Sequence, residues 1–549
     1  MASIYGLATR VVVYLGPSDR SSSTAIATLR WLGGCIEISR DRWKFPSPSC
    51  AVEDKDVFRR AKELPFSSEI WDALTEFFAR EWFERLWTLQ EILLANPAAV
   101  VLCGGEDIPY RLLRRAIVVL LNKAGANIPS QLAERIYRLA YPAYGIEALT
   151  LTRLLRLSAS LGCSDPRDKV YGILSLLGPK LREAVEVDYE VGVETVYREV
   201  MLAHCQITSR LDLLTEAGGS GGELKNADDG DLSLPSWVPD WRLKRDGVGV
   251  LGEIYQAAGL SRAHVEFVPS NVLNVQGVFC AEVVEVAEPY TGASIIELLQ
   301  FLQRLRPAAS EAEKDYQPTG NENQQDAWLR TLFFDNFEHR HLDSVRSAFP
   351  TLQNIRSALL NALENPEDTS NDFHAKIMQS AFGKALEARV RHQRFFRSSK
   401  GHLGFAPLDT EIGDIIVVFV GCWAPIILRP QASGRFKVIG AAYVHGLMDG
   451  EALVGPLPKG WNVFQEIVGN SRVPGFVQME SGERRMDDLR SEGLEDRWRR
   501  IEAERELDDG LFIVRYRDEV TGEVINFDPR LDREKLRERG VNIETFGLV

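Results

Sequence analysis

Long apolar runs are missing from this 549-residue sequence. None approaches the roughly 20 residues that a helix needs to cross a bilayer, so no membrane partner is expected. The opening MASIYGLATRVVVYLG has no basic n-region and no full apolar core, and it does not read as a signal peptide. Cysteine is scarce. Cys35, Cys50, Cys103, Cys163, Cys205, Cys280 and Cys422 make an odd seven with no C-x-x-C spacing. A reduced, cytoplasmic protein is the simplest reading. Positive charge is also in deficit. With 64 basic and 78 acidic residues the net charge is -14, which argues against a nucleic-acid footprint over the whole chain.

The remaining composition is that of a globular protein too long for one core, so two to four domains are expected. The organising stretch lies before Gly105. Trp71, Leu74, Phe78, Trp82, Leu86, Leu89 and Leu93 recur at steps of three and four, predicting one long amphipathic helix. Asn96 and Pro97 stop it, and Ala98 to Cys103 reads as a buried strand closed by Gly104 and Gly105. Upstream, Ile4 to Thr9 reads as a helix. Arg10 to Leu15 reads as a strand that should lie beside Val100 to Cys103. Helices are predicted for 23–32, 110–123 and 134–156, the last broken near Pro142.

Further on, Asp165 with Pro166 suggests a helix start, and 216–233 is a Gly- and Asp-rich loop. From Asn271, VLNVQGVFCAEVVEV alternates like a strand, and 296–305 reads as a helix. Residues 307–325 read as a flexible insertion, and helices follow from about 327 to 390. Strand-length apolar runs at 414–420, 424–428 and 436–444, joined by Gly and Ser-Gly turns, predict an antiparallel sheet or barrel over 394–453. Ile415, Val417, Phe419 and Ile427 should point inward. The charged stretch 483–509 reads as a solvated helix.

Several patterns resemble one family. R-x-W-x-x-Q-E-x-x-x-A at Arg85, Trp87, Gln90, Glu91 and Ala95, followed by Cys103 and Gly104, is similar to the end of the heterokaryon-incompatibility (HET) domain of filamentous fungi. Met1, Ile4, Tyr5, Ala8, Val11, Val13, Leu15 and Gly16 match the middle of that domain. DPRDKVYGILSL, LPSWVPDW, the wording of 394–453 and the closing DPRLDREKLRERGVNIETFGLV also resemble HET proteins. The family's opening Y-x-x-L-S-Y-x-W-G is not found, which implies a truncated or degenerate domain.

The expected fold is an α+β chain: an α/β N-terminal remnant with a partial parallel sheet, a helical middle and a β-rich C-terminal module. The expected divisions are 1–125, a partial HET domain; 126–260, a helical connector; 261–480, a mixed helical and β-rich module; and 481–549, a charged helix and tail. The resemblance implies a role in fungal non-self recognition and its cell death, through a protein partner or self-association, and no cofactor.

Glu91 is the leading candidate for chemistry. It reads either as a helix-surface glutamate with Arg85 or Arg80 nearby, or as the rim of a pocket flanked by Trp87, Phe83 and Leu94. The Trp-x-x-x-Glu spacing resembles the W-C-x-x-E helix of Toll/interleukin-receptor (TIR) domains. That likeness implies an alternative function: NAD or a related nucleotide as substrate, cleaved with Glu91 as the catalytic carboxylate and Trp87 as a face of the nucleotide pocket. Other patterns carry less. G-x-G-x-x-G at Gly247, Gly249 and Gly252 follows no apolar strand, and G-x-S-x-G around Ser220 lies in a polar glycine run. His339 and His341 beside Asp343 lack further ligand spacing, so no metal is expected. His445, Asp449 and Glu451 read as a turn and cap, and Arg167 and Asp168 as a capping and ion-pair arrangement.

Overall fold

The computed structural model describes residues 2–38, 43–44, 63–123, 128–139, 143, 150–219, 234–243, 254–269, 271–341, 349–368, 377–378, 381–468, 471–491, 493–502 and 514–549. The chain divides into two compact units. One holds 1–193 with 241–244, the other 194–240 with 245–549. The mixture is α+β, and its C-terminal region is β-rich. Among the described residues no helix is long and apolar enough to cross a membrane.

In the first unit, α1 (Ala2–Leu7) leads into β1 (Val12–Tyr14) and α2 (Ser22–Gly34), followed by a two-stranded hairpin of β2 (Glu37–Ile38) and β3 (Trp43–Lys44). After α3 (Ser68–Phe78) and α4 (Thr88–Leu93) come β4 (Val100–Cys103), β5 (Glu106–Pro109) and α5 (Tyr110–Asn122). β1 pairs parallel with β4, Val12 opposite Val100, and β5 adds antiparallel to β4. The two apolar runs therefore meet as their composition predicts. Their burial is one-sided at β1: Val11, Val13 and Leu15 enter the core, while Val12 and Tyr14 are 52% and 60% exposed. Strand side chains alternate faces, so only one stripe is covered.

The single helix predicted across Trp71–Leu93 is two helices. Between them Arg80 is extended, 81–84 form a 3-10 turn, and Arg85 is extended again. Non-local bonds outcompete the helix here. Arg80 Nη1 donates to the carbonyls of Leu15 and Pro17, both at 3.0 Å, and Nη2 pairs with Asp19 at 2.6 Å. Leu86 N donates to Gly162 O and Gly162 N to Glu84 O. The apolar stripe remains buried because Phe77, Phe78 and Phe83 pack ring to ring around the break. Downstream lie α6 (Ser130–Arg138), α7 (Leu151–Ser160) and α8 (Asp168–Tyr171). The predicted break at Pro142 lies outside the described residues.

The second unit begins with α9 (Val193–Thr208), whose first residue is assigned to the first unit. β6 (Val265–Val268) pairs with the long β7 (Val272–Val286). Helices α10 (Ile295–Leu305), α11 (Gln324–Leu332), α12 (Leu352–Glu364) and α13 (Ala381–His392) intervene. The strands then run β8 (Gln393–Ser398), β9 (Leu403–Pro407), β10 (Ile415–Phe419), β11 (Ile426–Pro430), β12 (Phe436–Ala441) and β13 (Tyr443–Val444). β10, β11, β12, the C-terminal β20 (Glu544–Leu548) and β7 close into a ring, because β7 pairs with both β20 and β10. The far half of β7 carries β8, β9 and β13.

The expected barrel therefore exists, but it is completed by strands from far outside 394–453. Val417 and Phe419 share the inner face with Phe546. Ile415 is half-buried. Ile427 faces the other way: the register sets Val417 opposite Ile426 and Ile416 opposite Ile427. Ile416, Val418 and Ile427 instead join Ala257, Ala258 and Leu447 in a second core outside the ring.

Two other expectations change. The insertion at 307–325 is anchored, since Tyr316 is fully buried, donates to His445 O at 3.1 Å and accepts from Leu403 N at 3.0 Å. The charged stretch 483–509 is not helical where described. It supplies β16 (Arg484–Arg485), which extends β14 (Trp461–Val468) and β15 (Ser471–Gln478), and β17 (Trp498–Glu502), which pairs with β18 (Val514–Asp518) and, through it, β19 (Val524–Ile525). Opposed strands satisfy their backbone in pairs, which allows this polar sequence to form a sheet.

Candidate functional site

Glu91 and Trp87 sit at the start of α4. They are one turn apart and so share a helix face. Glu91 is half-buried, and the Trp82 indole N–H donates to its Oε2 at 3.4 Å. Tyr5 on α1 is the other neighbour: burial first, and then the Glu91 charge, raises the Tyr5 hydroxyl pKa. Arg80 is engaged elsewhere, and neither it nor Arg85 forms an ion pair with Glu91 among the described residues. A carboxylate enclosed by two aromatic side chains replaces the surface pair.

Trp87 turns to different partners. Its indole N–H donates to Asp168 Oδ2 at 3.3 Å, and Tyr189 donates to Asp168 Oδ1 at 2.7 Å. The carboxylate thus locks Trp87 to the DPRD segment. Asp165 does not cap a helix directly after itself, since α8 starts only at Asp168. It binds Arg167 twice over, through the backbone N–H at 2.9 Å and the guanidinium at 2.8 Å. Arg167 also donates to the carbonyls of Tyr189 and Val191. Lys169 is buried and closes the end of α7, donating to Ser158 O at 3.0 Å and to Leu161 O. Arg167 therefore forms an ion pair as read, but with Asp165, while Asp168 accepts from Trp87 and Tyr189 instead of capping or pairing.

An apolar cavity of about 30 Å³ lies under α4, lined among others by Trp82, Phe83, Leu89, Ile92, Tyr110 and Leu157. Glu91 and Trp87 are not among its lining residues. Leu89 and Ile92 line it, and Trp82 borders both the cavity and Glu91. Sequence reading singled out Glu91, Trp87 and Asp168, but it did not join Asp168 to Trp87 and gave Trp82, Tyr5 and Tyr189 no part in a site. Trp82 was legible only as part of the apolar stripe, and Asp168 is 81 residues away from Trp87.

Most of the other candidates share one ion-pair network, in which Arg330 bridges Glu322 and Asp335 and Arg340 bridges Asp335 and Asp449. His339 Nε2 lies 3.4 Å from Asp335, while His341 Nε2 meets Asn336 Oδ1 at 2.7 Å and its ring stacks on Phe349. His445 Nε2 meets Glu322 at 2.7 Å, Asp449 pairs with Arg340 at 2.5 Å, and Glu451 accepts from Asp449 N at 2.7 Å. Each is used in internal bonding. Ser220 and the Gly247, Gly249 and Gly252 pattern lie outside the described residues.

Comparison with known proteins agrees with this two-part layout. Residues 1–91 match the family described as heterokaryon incompatibility protein (HET), and residues 328–454 match the Het-6 beta-barrel domain. Heterokaryon incompatibility protein 6, OR allele, of Neurospora crassa is 24% identical, over 82% of this chain and 78% of that protein. No solved structure matches. The barrel match stops short of β7 and β20, the two strands that close the ring. The chain thus combines a segment similar to HET, ending at Glu91, with a segment similar to the Het-6 barrel in the second unit.

Proposed function

We propose that this chain acts in the cytoplasm in fungal non-self recognition, relaying or regulating the cell death of heterokaryon incompatibility through a protein partner or through self-association. The observation that carries this reading is the joint presence of a HET segment and a Het-6 barrel in one chain related to a heterokaryon incompatibility protein. Exposed apolar side chains on α1 and β1 support a protein partner: Ile4 and Leu7 are 66% and 85% exposed, and Val12 and Tyr14 lie outward on the neighbouring strand. The test is genetic. Deleting the gene in its host and fusing the mutant with a panel of tester strains should suppress death in at least one incompatible pairing, scored by vital-dye uptake. Unchanged death in every pairing would remove the proposal.

A second reading treats the first unit as TIR-like and Glu91 as the acid group of a nucleotide-cleaving site. The half-burial of Glu91 between Trp82 and Tyr5 favours it. A carboxylate there would hold ribose hydroxyls and stabilise an oxocarbenium-like transition state as nicotinamide leaves. Trp87, fixed by Asp168, would form one wall. The cavity beneath α4 is lined by Leu89 and Ile92 and not by Glu91, so it does not enclose that carboxylate. Nicotinamide release from NAD by the purified chain is therefore expected at or near background. Robust turnover that Glu91→Ala abolishes would overturn that expectation and establish an enzyme.

A further inference from the structure

The interior of the second unit contains many arginines, and nearly all of the most deeply buried ones meet an acid. Arg210 pairs with Asp212 at 3.2 Å, Arg330 with Glu322 at 2.9 Å, and Arg340 with Asp335 at 2.8 Å. Arg490 pairs with Asp488 and Arg530 with Asp528, both at 2.7 Å. This is the usual condition for taking a guanidinium out of water. Arg389, on α13, departs from it. Among the described residues it meets no carboxylate, and its one hydrogen bond is a long 3.4 Å contact from Nη1 to Leu332 O.

Its remaining contact is with a ring. The guanidinium carbon lies 4.2 Å from the centroid of Phe334, and Phe334 is stacked in turn on Tyr443 at 4.6 Å with 6° between the planes. A cation–π contact occupies the face of the guanidinium. The N–H donors lie in the plane of the group and point outward from its edge, so stacking leaves them without acceptors. Among the described residues no hydrogen bond joins Arg389 to Tyr255, whose hydroxyl donates to Phe334 O at 2.5 Å. Burial pulls the Arg389 pKa down to about 10 despite the nearby tyrosines, so the group is still a cation at neutral pH.

The ring under Arg389 is held there at a cost. Phe334 and Asp335 have φ values of 54° and 49°, two consecutive non-glycine residues in the left-handed region. Such strain persists only where the surroundings enforce it, and it gathers at binding sites. It does two things here. It turns Phe334 beneath Arg389, and it sends Asp335 the other way, to Arg340 and Arg330, so that the acid beside Phe334 is spent on other arginines, as Glu387 is on Arg391.

We propose that Arg389, stacked on Phe334, is the recognition residue of an oxyanion site in the β-rich unit, taking a ligand that carries a carboxylate or a phosphate. A planar guanidinium with free edge donors suits both groups, which accept two parallel N–H bonds. Arg389 is half-buried and so is not sealed in the core. The site belongs to the second unit and involves neither Glu91 nor Trp87.

The test uses the whole chain, with inorganic phosphate and acetate as separate probes, titrated by calorimetry and by thermal unfolding at constant ionic strength set with sodium chloride. Saturable one-to-one binding of at least one probe is expected, with a rise in Tm beyond that given by chloride alone. Phosphate alone would mark a phosphate-bearing ligand, acetate alone a carboxylate, and binding of both the shared oxyanion chemistry. Arg389→Lys keeps the charge but loses the fork and should weaken binding at least tenfold. Arg389→Met should abolish it while the circular dichroism spectrum stays native. If the methionine variant does not fold, the lysine variant and the native titrations still decide. Absence of binding by both probes, or equal binding by the lysine variant, would overturn the proposal.

Discussion

Phe546 stands edge-on to Phe419, with 5.7 Å between ring centroids and 81° between the planes. The contact joins a strand at the very end of the chain to one more than a hundred residues earlier, and it seals the ring of strands from inside. Phe436 adds a third ring against Phe546 at 5.3 Å. Ser236 of the LPSWVPDW segment fastens the same end, its backbone N–H donating to Val549 O at 3.0 Å, while the Trp237 indole donates to Asn271 O. Truncating this buried ring in Phe546→Ala should cost about 3–5 kcal/mol, as for other buried aromatic side chains. Denaturant unfolding followed by tryptophan fluorescence would measure it, and a loss below about 1 kcal/mol, the level of a surface change, would show that β20 is not needed for closure.

Gly33 limits how closely two helices of the first unit can pack. A Cβ there would fall on the carbonyl oxygen of Leu112, on α5, so α2 and α5 touch backbone to backbone. Gly33→Ala should force them apart and cost about 1–3 kcal/mol, although alanine is the better helix former. A rise in the melting temperature would contradict this packing.

Lys169 closes the C-terminal end of α7 by donating to the carbonyls of Ser158 and Leu161. Lys169→Met keeps most of the apolar stem but leaves those oxygens without their charged donor. The expected loss is about 1–3 kcal/mol, the cost of unsatisfied buried acceptors. Hydrogen exchange should quicken first in 151–160, and uniform exchange across the unit would contradict a local cap.

His204 is fully buried, and neither ring nitrogen has a hydrogen-bond partner among the described residues. Burial lowers its pKa from 6.5 to about 4. The unfolded chain therefore binds a proton below pH 6.5 that the folded chain refuses until about pH 4. Stability should be complete above pH 6.5 and fall as the pH drops between these values, by about 1.4 kcal/mol per pH unit from this residue. His204→Leu should flatten the stability profile in that window. An identical slope in the variant would show that other groups set it.

Asp335 should act at lower pH. Burial opposes its charge, but Arg330, His339 and Arg340 together hold its carboxyl well below the ordinary value of 3.8. A depressed carboxyl stabilises the fold above the unfolded pKa and loses that contribution as pH falls toward the folded one. Acid unfolding of Asp335→Asn should begin from a lower plateau and lack that final acid-dependent loss. A native-like acid profile would argue against this network.

Local pattern determined a good deal. The alternation and β-branching of Arg10 to Leu15 and Ala98 to Cys103 made strands whose partners could be named, because each run had few other ways to bury its apolar side chains. The helix at 295–305 was legible from its 3.6 period and starts at a capping box, Ser294 with Glu297. The strand-length runs of 414–444 were similarly plain, and the wording before Glu91 resembled the HET family that 1–91 match. Only the tertiary structure decided where those pieces break and what they meet. The stripe from Trp71 to Leu93 has helical spacing throughout, yet Arg80 and the Gly162 bonds interrupt it with partners that no local window contains. Ile427 has the same hydrophobicity inward or outward, and a one-residue choice of register sets its face. No local window places Asp168 beside Trp87, whose indole N–H it accepts. Periodicity states how much surface a segment must bury. Which surface it buries against depends on bonds between residues far apart in the chain, and those exist only once the chain has folded.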